Sequence, residues 1–436
     1  MTKKFAIVLK KQRGVYRLLL LFLIFFRITS GEVVAEELIA RGEILALSKC
    51  IDIALQKHPH ILAAKNNLDV NKSRIGQAKA DYYPQLKLSG GASRTSSSSG
   101  KIPSYSEYSS SVTLSQNIFD FNRREIRVDI EGLNLEASRG ELNNVSLNVA
   151  LGVKQAYYEL LRAKKTREIS AETVKRFERH LERAKGFFET GLKPKFDVTK
   201  AEVELSNARL NLLKADNALR IAVVVLNNAM GAPDAPPYDL ENDVLSRKYA
   251  VDLSESLKKA YLARPDLHSL LLKKEAARKS VQLAGRDYYP ALSGKASYGW
   301  SGDDFPLERS WNIGASLDFE LFSGFSTRYK LEEARAGLEV LRAQEEALRQ
   351  EIRLEVEQSV ANLQEAEKRI SVTETTVRQA EENLELAQGR YAAGVGDPLE
   401  MTDALVAAGN AKTALAGALY DYKITGAFLD KAMGEK

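Results

Sequence analysis

The sequence predicts a mainly α-helical protein with a small β part. Long antiparallel helices form a coiled-coil α-helical barrel, and each chain contributes four strands to a transmembrane β-barrel shared between chains. Three observations support this fold class: the chain is internally duplicated, each half contains a long helical segment without proline, and each half contains one stretch in which apolar and polar residues alternate.

The duplication is visible in the tetrapeptide Asp-Tyr-Tyr-Pro, which occurs at 81–84 and again 206 residues later at 287–290. Further matches lie 203 residues apart, including Gly191 with Gly394 and two Ala-Met-Gly sequences. Solenoid repeats have periods of about 20–50 residues, so this longer period indicates a duplicated half-molecule. We therefore divide the chain into an N-terminal segment 1–35, a first structural repeat 36–235 and a second structural repeat 236–436.

The N-terminal segment is typical of a secretory signal peptide. A basic region precedes the apolar run 18–26, and small residues lead to a predicted cleavage site after Ala35. Nine apolar residues are too few to cross a bilayer, which needs about 20. Of the 63 basic and 58 acidic residues, seven and one lie in this segment, so the remaining 56 and 57 are balanced. That balance argues against a nucleic-acid partner.

Each repeat is predicted to begin with a helix, over 43–80 and over 253–286, that an internal proline interrupts. The Asp-Tyr-Tyr-Pro sequence ends this helix, because proline disfavours the helical conformation of the residue before it. The only cysteine, Cys50, lies in the first of these helices and has no disulfide partner in the chain, so we expect a partly buried thiol.

Period-two alternation then predicts one β-hairpin in each repeat, at about 85–118 and 291–321. The apolar face of the second hairpin carries Trp300 and Trp311, and we expect both to face lipid.

Two proline-free intervals of about 90 residues follow the hairpins. In the second repeat, apolar or small residues at alternating steps of three and four run from Leu331 to Tyr391, which predicts a coiled-coil helix about 100 Å long. Each long helix ends at a glycine turn, and a second helix returns to Ala-Met-Gly. The short turn makes the two helices antiparallel neighbours.

The strand count requires more than one chain. Four strands cannot close a barrel, and open strand edges in a bilayer leave unpaired backbone groups at several kcal/mol each. Two chains supply eight strands and three supply twelve. An exported chain with amphipathic hairpins and no apolar helix of spanning length is therefore expected in an outer membrane, as an oligomer in contact with lipid.

At this point the chain resembles the TolC-like outer-membrane efflux proteins over essentially all of its mature length. The resemblance rests on the duplicated order of helix, hairpin and helix pair, and on the glycine-tip sequences TGLKPKFDV and YAAGVGDPLEMTDAL. It implies a homotrimer in the bacterial outer membrane with a periplasmic helical tunnel. It also implies export of substrates from periplasm to exterior, together with a periplasmic adaptor protein and an inner-membrane transporter.

The resemblance also implies functional residues at the glycine tips. The residues implied in adaptor docking are Thr190, Gly191, Leu192, Ala393, Gly394 and Val395. The residues implied in tunnel constriction and gating are Glu400, Asp403, Asp197 and Tyr391. The chain departs from the family pattern at Gly396, which stands where an arginine completes the gating network, and Lys193 and Lys195 are the candidate substitutes.

No catalytic constellation, cofactor motif or metal-ligand cluster is visible in the sequence, so enzyme activity is not expected. Two alternatives remain open. One is the outer-membrane component of type I protein secretion. The other, from a different class, is a periplasmic coiled-coil adaptor or structural protein. The matched pair of amphipathic hairpins argues against this second alternative, because a soluble adaptor does not require them.

Overall fold

The computed structural model describes residues 39–96, 105–242 and 252–436. The predicted signal peptide, 1–35, lies outside the described residues. The chain divides into two units, Met1–Arg41 and Gly42–Lys436. The first unit is described only over residues 39–41, and the elements below all belong to the second.

The described elements follow the predicted order. The helices are α1 (Leu47–Lys57), α2 (Pro59–Ala80), α3 (Arg123–Glu189), α4 (Lys195–Ala229), α5 (Leu253–Ala263), α6 (Pro265–Arg286), α7 (Ser326–Ala392) and α8 (Pro398–Ala432). The strands are β1 (Ile44–Leu45), β2 (Gln85–Thr95), β3 (Tyr105–Phe119), β4 (Asp239–Leu240), β5 (Ala291–Gly302) and β6 (Glu308–Asp318). No helix in these described ranges is both long and apolar enough to cross a membrane.

The prolines interrupt the first helix of each repeat as predicted. His58 and Arg264 have extended backbones with ψ of 129° and 121°, and the following proline opens the next helix. The glycine of each Ala-Met-Gly sequence packs against the backbone at one of these helix breaks. A Cβ atom on Gly231 would lie 2.8 Å from the Cα of His58, and one on Gly434 would lie 2.9 Å from the carbonyl carbon of Ala263. Close packing therefore explains both repeated glycines, whose φ angles are also positive.

Four strands form one antiparallel sheet in the order β2-β3-β5-β6. Leu86 pairs with Leu114, and Leu114 pairs on its other side with Ala296, so apolar residues of three strands share one face. The other face is mainly polar, and its register includes Ser89 opposite Ser111. The second hairpin ends at Asp318 rather than at the predicted 321. Within the described sheet, β2 and β6 each have one strand neighbour.

The long helices α3 and α7 each contain 67 residues, about 100 Å of helix. Both are entered through a residue in the left-handed conformation, Asn122 with φ of 67° and Phe325 with φ of 68°. The return helices α4 and α8 contain 35 residues each. The predicted coiled-coil seam of α7 is present: Ile352 and Ala366 are buried, and Leu348 and Ile370 are partly buried, against the other helices of the second repeat.

One ion pair between a long helix and the end of the preceding helix recurs in both repeats. Arg127 on α3 pairs with Asp81 at the end of α2, at 3.0 Å. The residues 203 and 206 positions later, Lys330 on α7 and Asp287 at the end of α6, pair at 3.8 Å. At this position the duplication therefore extends from the sequence to a side-chain contact.

Candidate functional site: the helical tips and the amphipathic sheet

The α3–α4 and α7–α8 turns have the same conformation. Gly191 and Gly394 have φ of 74° and 80°, values that favour glycine. The amide of Leu192 donates to the carbonyl of Phe187 at 2.9 Å, and the amide of Val395 donates to that of Arg390 at 3.1 Å. These bonds close each long helix with a glycine cap and reverse the chain.

The tips expose large apolar side chains. Leu192 and Val395 are 69% and 70% exposed, as suits residues predicted to dock a partner. Sequence reasoning missed two further ones, Phe196 and Leu399, which are 70% and 50% exposed in the first turns of α4 and α8. The available signal is that the two apolar residues lie 203 positions apart, each within two residues after a proline.

A hydrogen bond joins the two tips. The ammonium of Lys193 donates to the carbonyl oxygen of Gly396 at 3.1 Å and lies 6.0 Å from the centre of the Tyr391 ring. A Cβ atom on Gly396 would lie 2.6 Å from the backbone nitrogen of Tyr391, so this position has no space for any larger residue. Lys195 is exposed, and no such contact joins it to Gly396 among the described residues.

Asp197 and Tyr391 are buried together under the tips, at 4% and 0% exposure. Burial raises the pKa of Asp197, the nearby Lys193 opposes that shift, and Asp397 adds to it. Burial and the Asp197 charge raise the pKa of Tyr391. In the described part of the chain, neither the Tyr391 hydroxyl nor Oδ2 of Asp197 has a hydrogen-bond partner. The single chain thus holds these groups close without a direct bond between them.

His180 completes this buried group. Its ring centre lies 5.1 Å from that of Tyr391, and burial followed by the charge of Arg183 lowers the pKa of the imidazole. Its Nδ1 has no hydrogen-bond partner among the described residues. No local pattern in the sequence indicates this contact, because His180, near the C-terminal end of α3, is far from Tyr391 along the chain.

Glu400 and Asp403 lie on α8, one turn apart, and both are exposed. Glu400 pairs with Arg390 at 3.2 Å, so part of its charge is already balanced within the chain. No such pair is found for Asp403 in the described residues.

The two tryptophans lie on the apolar face of the sheet. Trp311 pairs with Tyr298 across β5 and β6 and is 73% exposed. Trp300 lies two residues from Tyr298 on the same strand, contacts its ring edge-to-face at 4.9 Å and is half-buried. Both side chains therefore point to the face that carries Leu86 and Leu114.

Among the residues that the structure describes, no group of three or more His, Cys, Asp or Glu side chains has the arrangement of a metal site. Cys50 is fully buried rather than partly buried as expected, because α1 packs it inside the molecule, and this burial raises the pKa of its thiol to about 12. Such a thiol is protonated and unreactive at neutral pH.

An amphipathic antiparallel sheet joined to helices much longer than its strands is the architecture of a membrane channel of the mixed barrel-and-tunnel class. The family model described as "Outer membrane efflux protein" matches residues 50–232 and 256–435. The chain therefore belongs to the outer membrane efflux protein family. It is an outer-membrane channel for efflux or secretion, and its helical part lies in the periplasm.

Known relatives cover most of the chain. A probable efflux pump outer membrane protein of Pseudomonas putida, TtgC, is 23% identical over 405 residues, which are 89% of this chain and 83% of TtgC. Protein CyaE of Bordetella pertussis is 26% identical over 325 residues, 73% of this chain and 68% of CyaE.

Solved structures share the fold. A CusC structure that concerns transmembrane channel formation superposes with a TM-score of 0.79 at 18% identity, over 93% of this chain and 96% of CusC. The CmeC outer membrane channel of Campylobacter jejuni superposes with a TM-score of 0.78 at 17% identity, over 89% of this chain and 85% of CmeC. The predicted fold class, a helical coiled-coil barrel with a β-barrel shared between chains, is confirmed.

Proposed function

We propose that the protein is a homotrimer that exports substrates through a twelve-stranded barrel and a helical tunnel, as part of a tripartite pump with a periplasmic adaptor and an inner-membrane transporter. The observation that carries this proposal is the four-stranded sheet, apolar on one face and polar on the other, with edges at β2 and β6. Pairing β6 of one copy with β2 of the next closes the edges, and three copies supply twelve strands.

The tips are the proposed docking surface for the adaptor. Thr190, Gly191 and Leu192 form one turn, and Ala393, Gly394 and Val395 form the other. Each presents an exposed aliphatic side chain beside an exposed apolar residue of the next helix, Phe196 or Leu399. A rigid turn that displays apolar side chains suits a docking surface, because little conformational entropy is lost on binding.

The proposed constriction lies just inside the tips. Glu400 and Asp403 lie on one exposed side of α8, and three copies bring six carboxylates to the tunnel entrance. Rings of carboxylates favour cations over anions. The buried pair Asp197 and Tyr391 lies behind this ring, and Lys193 links the two tips of each copy. We propose that loosening this packed region accompanies opening.

The first test is the mass of the detergent-extracted particle by light scattering, with the detergent contribution subtracted. Three chains per particle are expected. In planar bilayers the conductance should be selective for cations, and the double variant Glu400→Gln with Asp403→Asn should reduce this selectivity. A monomer that is released without detergent contradicts the proposal, because its hairpins then do not enter a membrane.

The docking surface is tested separately. Leu192→Asp with Val395→Asp is expected to abolish cross-linking to the adaptor in cells and leave trimer mass and conductance unchanged, since both side chains are exposed. Leu262→Asp is the matched control, because Leu262 is 88% exposed on α5, away from the tips. Equal loss of cross-linking in the control variant argues against docking at the tips.

A further inference from the structure

An open cavity of 690 Å³ lies in the first repeat, beside the break between α1 and α2. Its walls include Ala64 of α2, Val149 of α3 and Ala229 of α4. These residues belong to one chain, so the cavity does not depend on the proposed trimer. Several hundred Å³ is the usual volume of a small-molecule site.

The cavity exists because several side chains of the first repeat are smaller than their counterparts in the second. Three wall residues have larger counterparts 203 or 206 positions later: Ala64 with Leu270, Val145 with Leu348, and Val149 with Ile352. The largest difference is at Gly152, whose counterpart is Glu355. A Cβ atom on Gly152 would meet nothing within 4 Å, so close packing does not explain this glycine. Glycine is unfavourable inside a helix, and its effect here is to leave the cavity open.

In the second repeat a carboxylate occupies the corresponding space. Glu355 forms an ion pair with Arg264, which is the counterpart of His58. Lys431 reaches the same glutamate at 2.6 Å. The first repeat has Gly152 in place of the glutamate, and therefore lacks the carboxylate but keeps a polar side chain, His58, on the opposite side of the space.

His58 has a hydrogen-bond donor available for such a carboxylate. Its Nδ1 accepts from the backbone amide of His60 at 3.3 Å, so the proton of the neutral imidazole is on Nε2. In the described part of the chain Nε2 has no hydrogen-bond partner. Burial, followed by the charge of His60, lowers the pKa of His58, so the ring is neutral at pH 7. This tautomer suits an anion better than a metal ion, because a ligand nitrogen must carry no proton.

The other polar residues of the cavity are compatible with a negative charge. The ring of His60 lies 5.1 Å from that of His58 and also lines the cavity. Asn148, which is exposed on α3, adds an amide group. Glu141 is acidic, but its ion pair with Lys273 of α6 balances its charge.

We propose that this cavity binds a small organic carboxylate with an apolar body. The carboxylate takes the position that Glu355 has in the second repeat and accepts a hydrogen bond from Nε2 of His58. The apolar body contacts the apolar side chains of the walls, which are Ala63, Ala64, Val145, Val149 and Ala229. Burial of this body stabilises the complex, and the hydrogen bond fixes its orientation.

The test is equilibrium dialysis of radiolabelled benzoate against the full-length protein in a non-ionic detergent, with the uptake by detergent alone subtracted. Saturable binding of one benzoate per chain is expected. Benzamide has nearly the same size but no charge, and we expect at least about tenfold weaker binding, because hydrogen bonds to charged groups are stronger. Equal affinity for the two probes overturns the assignment of a carboxylate, and uptake that does not saturate overturns the site.

The position of the site is tested by filling it. Gly152→Glu provides a carboxylate from the protein itself and is expected to abolish benzoate binding. The matched control is Gly132→Glu on the same helix, where a Cβ atom also meets nothing within 4 Å and which does not line the cavity. The control is expected to bind benzoate like the wild type. Equal benzoate binding by the two variants places the ligand elsewhere.

The hydrogen bond from His58 is tested independently of the cavity volume. His58→Met removes the donor and keeps a side chain of similar length, and its melting temperature shows whether it is folded. We expect about tenfold weaker binding of benzoate and little change for benzamide. A merely structural role of His58 predicts equal losses for both probes, and that result overturns the proposed hydrogen bond.

Discussion

Arg264 and Glu355 form an ion pair that joins the break between α5 and α6 to the middle of α7. Arg264 is 5% exposed and also pairs with Asp266, while Lys431 of α8 reaches the same glutamate at 2.6 Å. Burial works against the charge of Glu355, but hydrogen bonds from Lys431 and Arg264 hold its pKa below the usual value. Glu355, a polar residue in the heptad seam of α7, thus belongs to a charged network with Arg264, Asp266 and Lys431.

Arg264→Met is expected to destabilise the protein by about 3 kcal/mol, because it removes one partner from a buried ion pair. Thermal unfolding of the detergent-extracted protein measures this loss. His58→Met is the matched control, since His58 is the corresponding residue of the first repeat and has no ion pair with any residue in the described part of the chain. We expect a loss below about 1 kcal/mol. Equal losses in the two variants contradict a special role for the network.

Gly396→Ala is expected to distort the α7–α8 turn at a cost of about 1–3 kcal/mol, because the added methyl group overlaps the backbone at Tyr391. The same substitution at Gly389, where a Cβ meets nothing within 4 Å, is expected to stabilise the helix slightly. Melting temperatures and adaptor cross-linking of the two variants provide the comparison. A neutral Gly396→Ala variant contradicts the steric requirement.

Asp197→Asn is expected to stabilise the protein by about 1 kcal/mol at pH 7, since it removes the charge of a buried carboxylate. The folded-state pKa of Asp197 is raised, so ionisation penalises the fold. This penalty is absent below the ordinary pKa of 3.8 and complete above the raised pKa. The difference in melting temperature between variant and wild type should therefore shrink as the pH falls from 7 towards 4. A difference that stays constant over this range argues against ionisation of Asp197 as its cause.

Bromolipid in liposomes is expected to quench the fluorescence of both tryptophans, which lie on the apolar face of the sheet. The chain has only two tryptophans, so Trp300→Phe and Trp311→Phe each leave a single reporter. Iodide in the aqueous phase should quench neither effectively. The reverse pattern, with aqueous quenching alone, places this face in water and contradicts the barrel orientation.

The sequence predicted those parts of the structure that depend on local periodicity. Alternation gave the β5–β6 hairpin to within three residues, and the heptad pattern gave α7 almost to its ends. Contacts between distant residues have no local signal. Gly231 against His58 and His180 against Tyr391 depend on how helices pack, and the sequence shows only that the glycine recurs. Likewise, the sequence identifies Gly396 as a departure from the family pattern. Only the structure of the turn shows why glycine is needed there, because any larger residue would overlap the backbone of Tyr391.

The equal lengths of α3 and α7, and of α4 and α8, restrict how this protein can change in evolution. Each residue added to a helix moves its far end by about 1.5 Å, so a heptad inserted into one hairpin alone would place its tip about 10 Å beyond the other. A partner that touches both tips would then meet an uneven rim. Insertions must therefore occur in both repeats together, and the distance from the membrane to the docking surface changes in paired heptads or not at all.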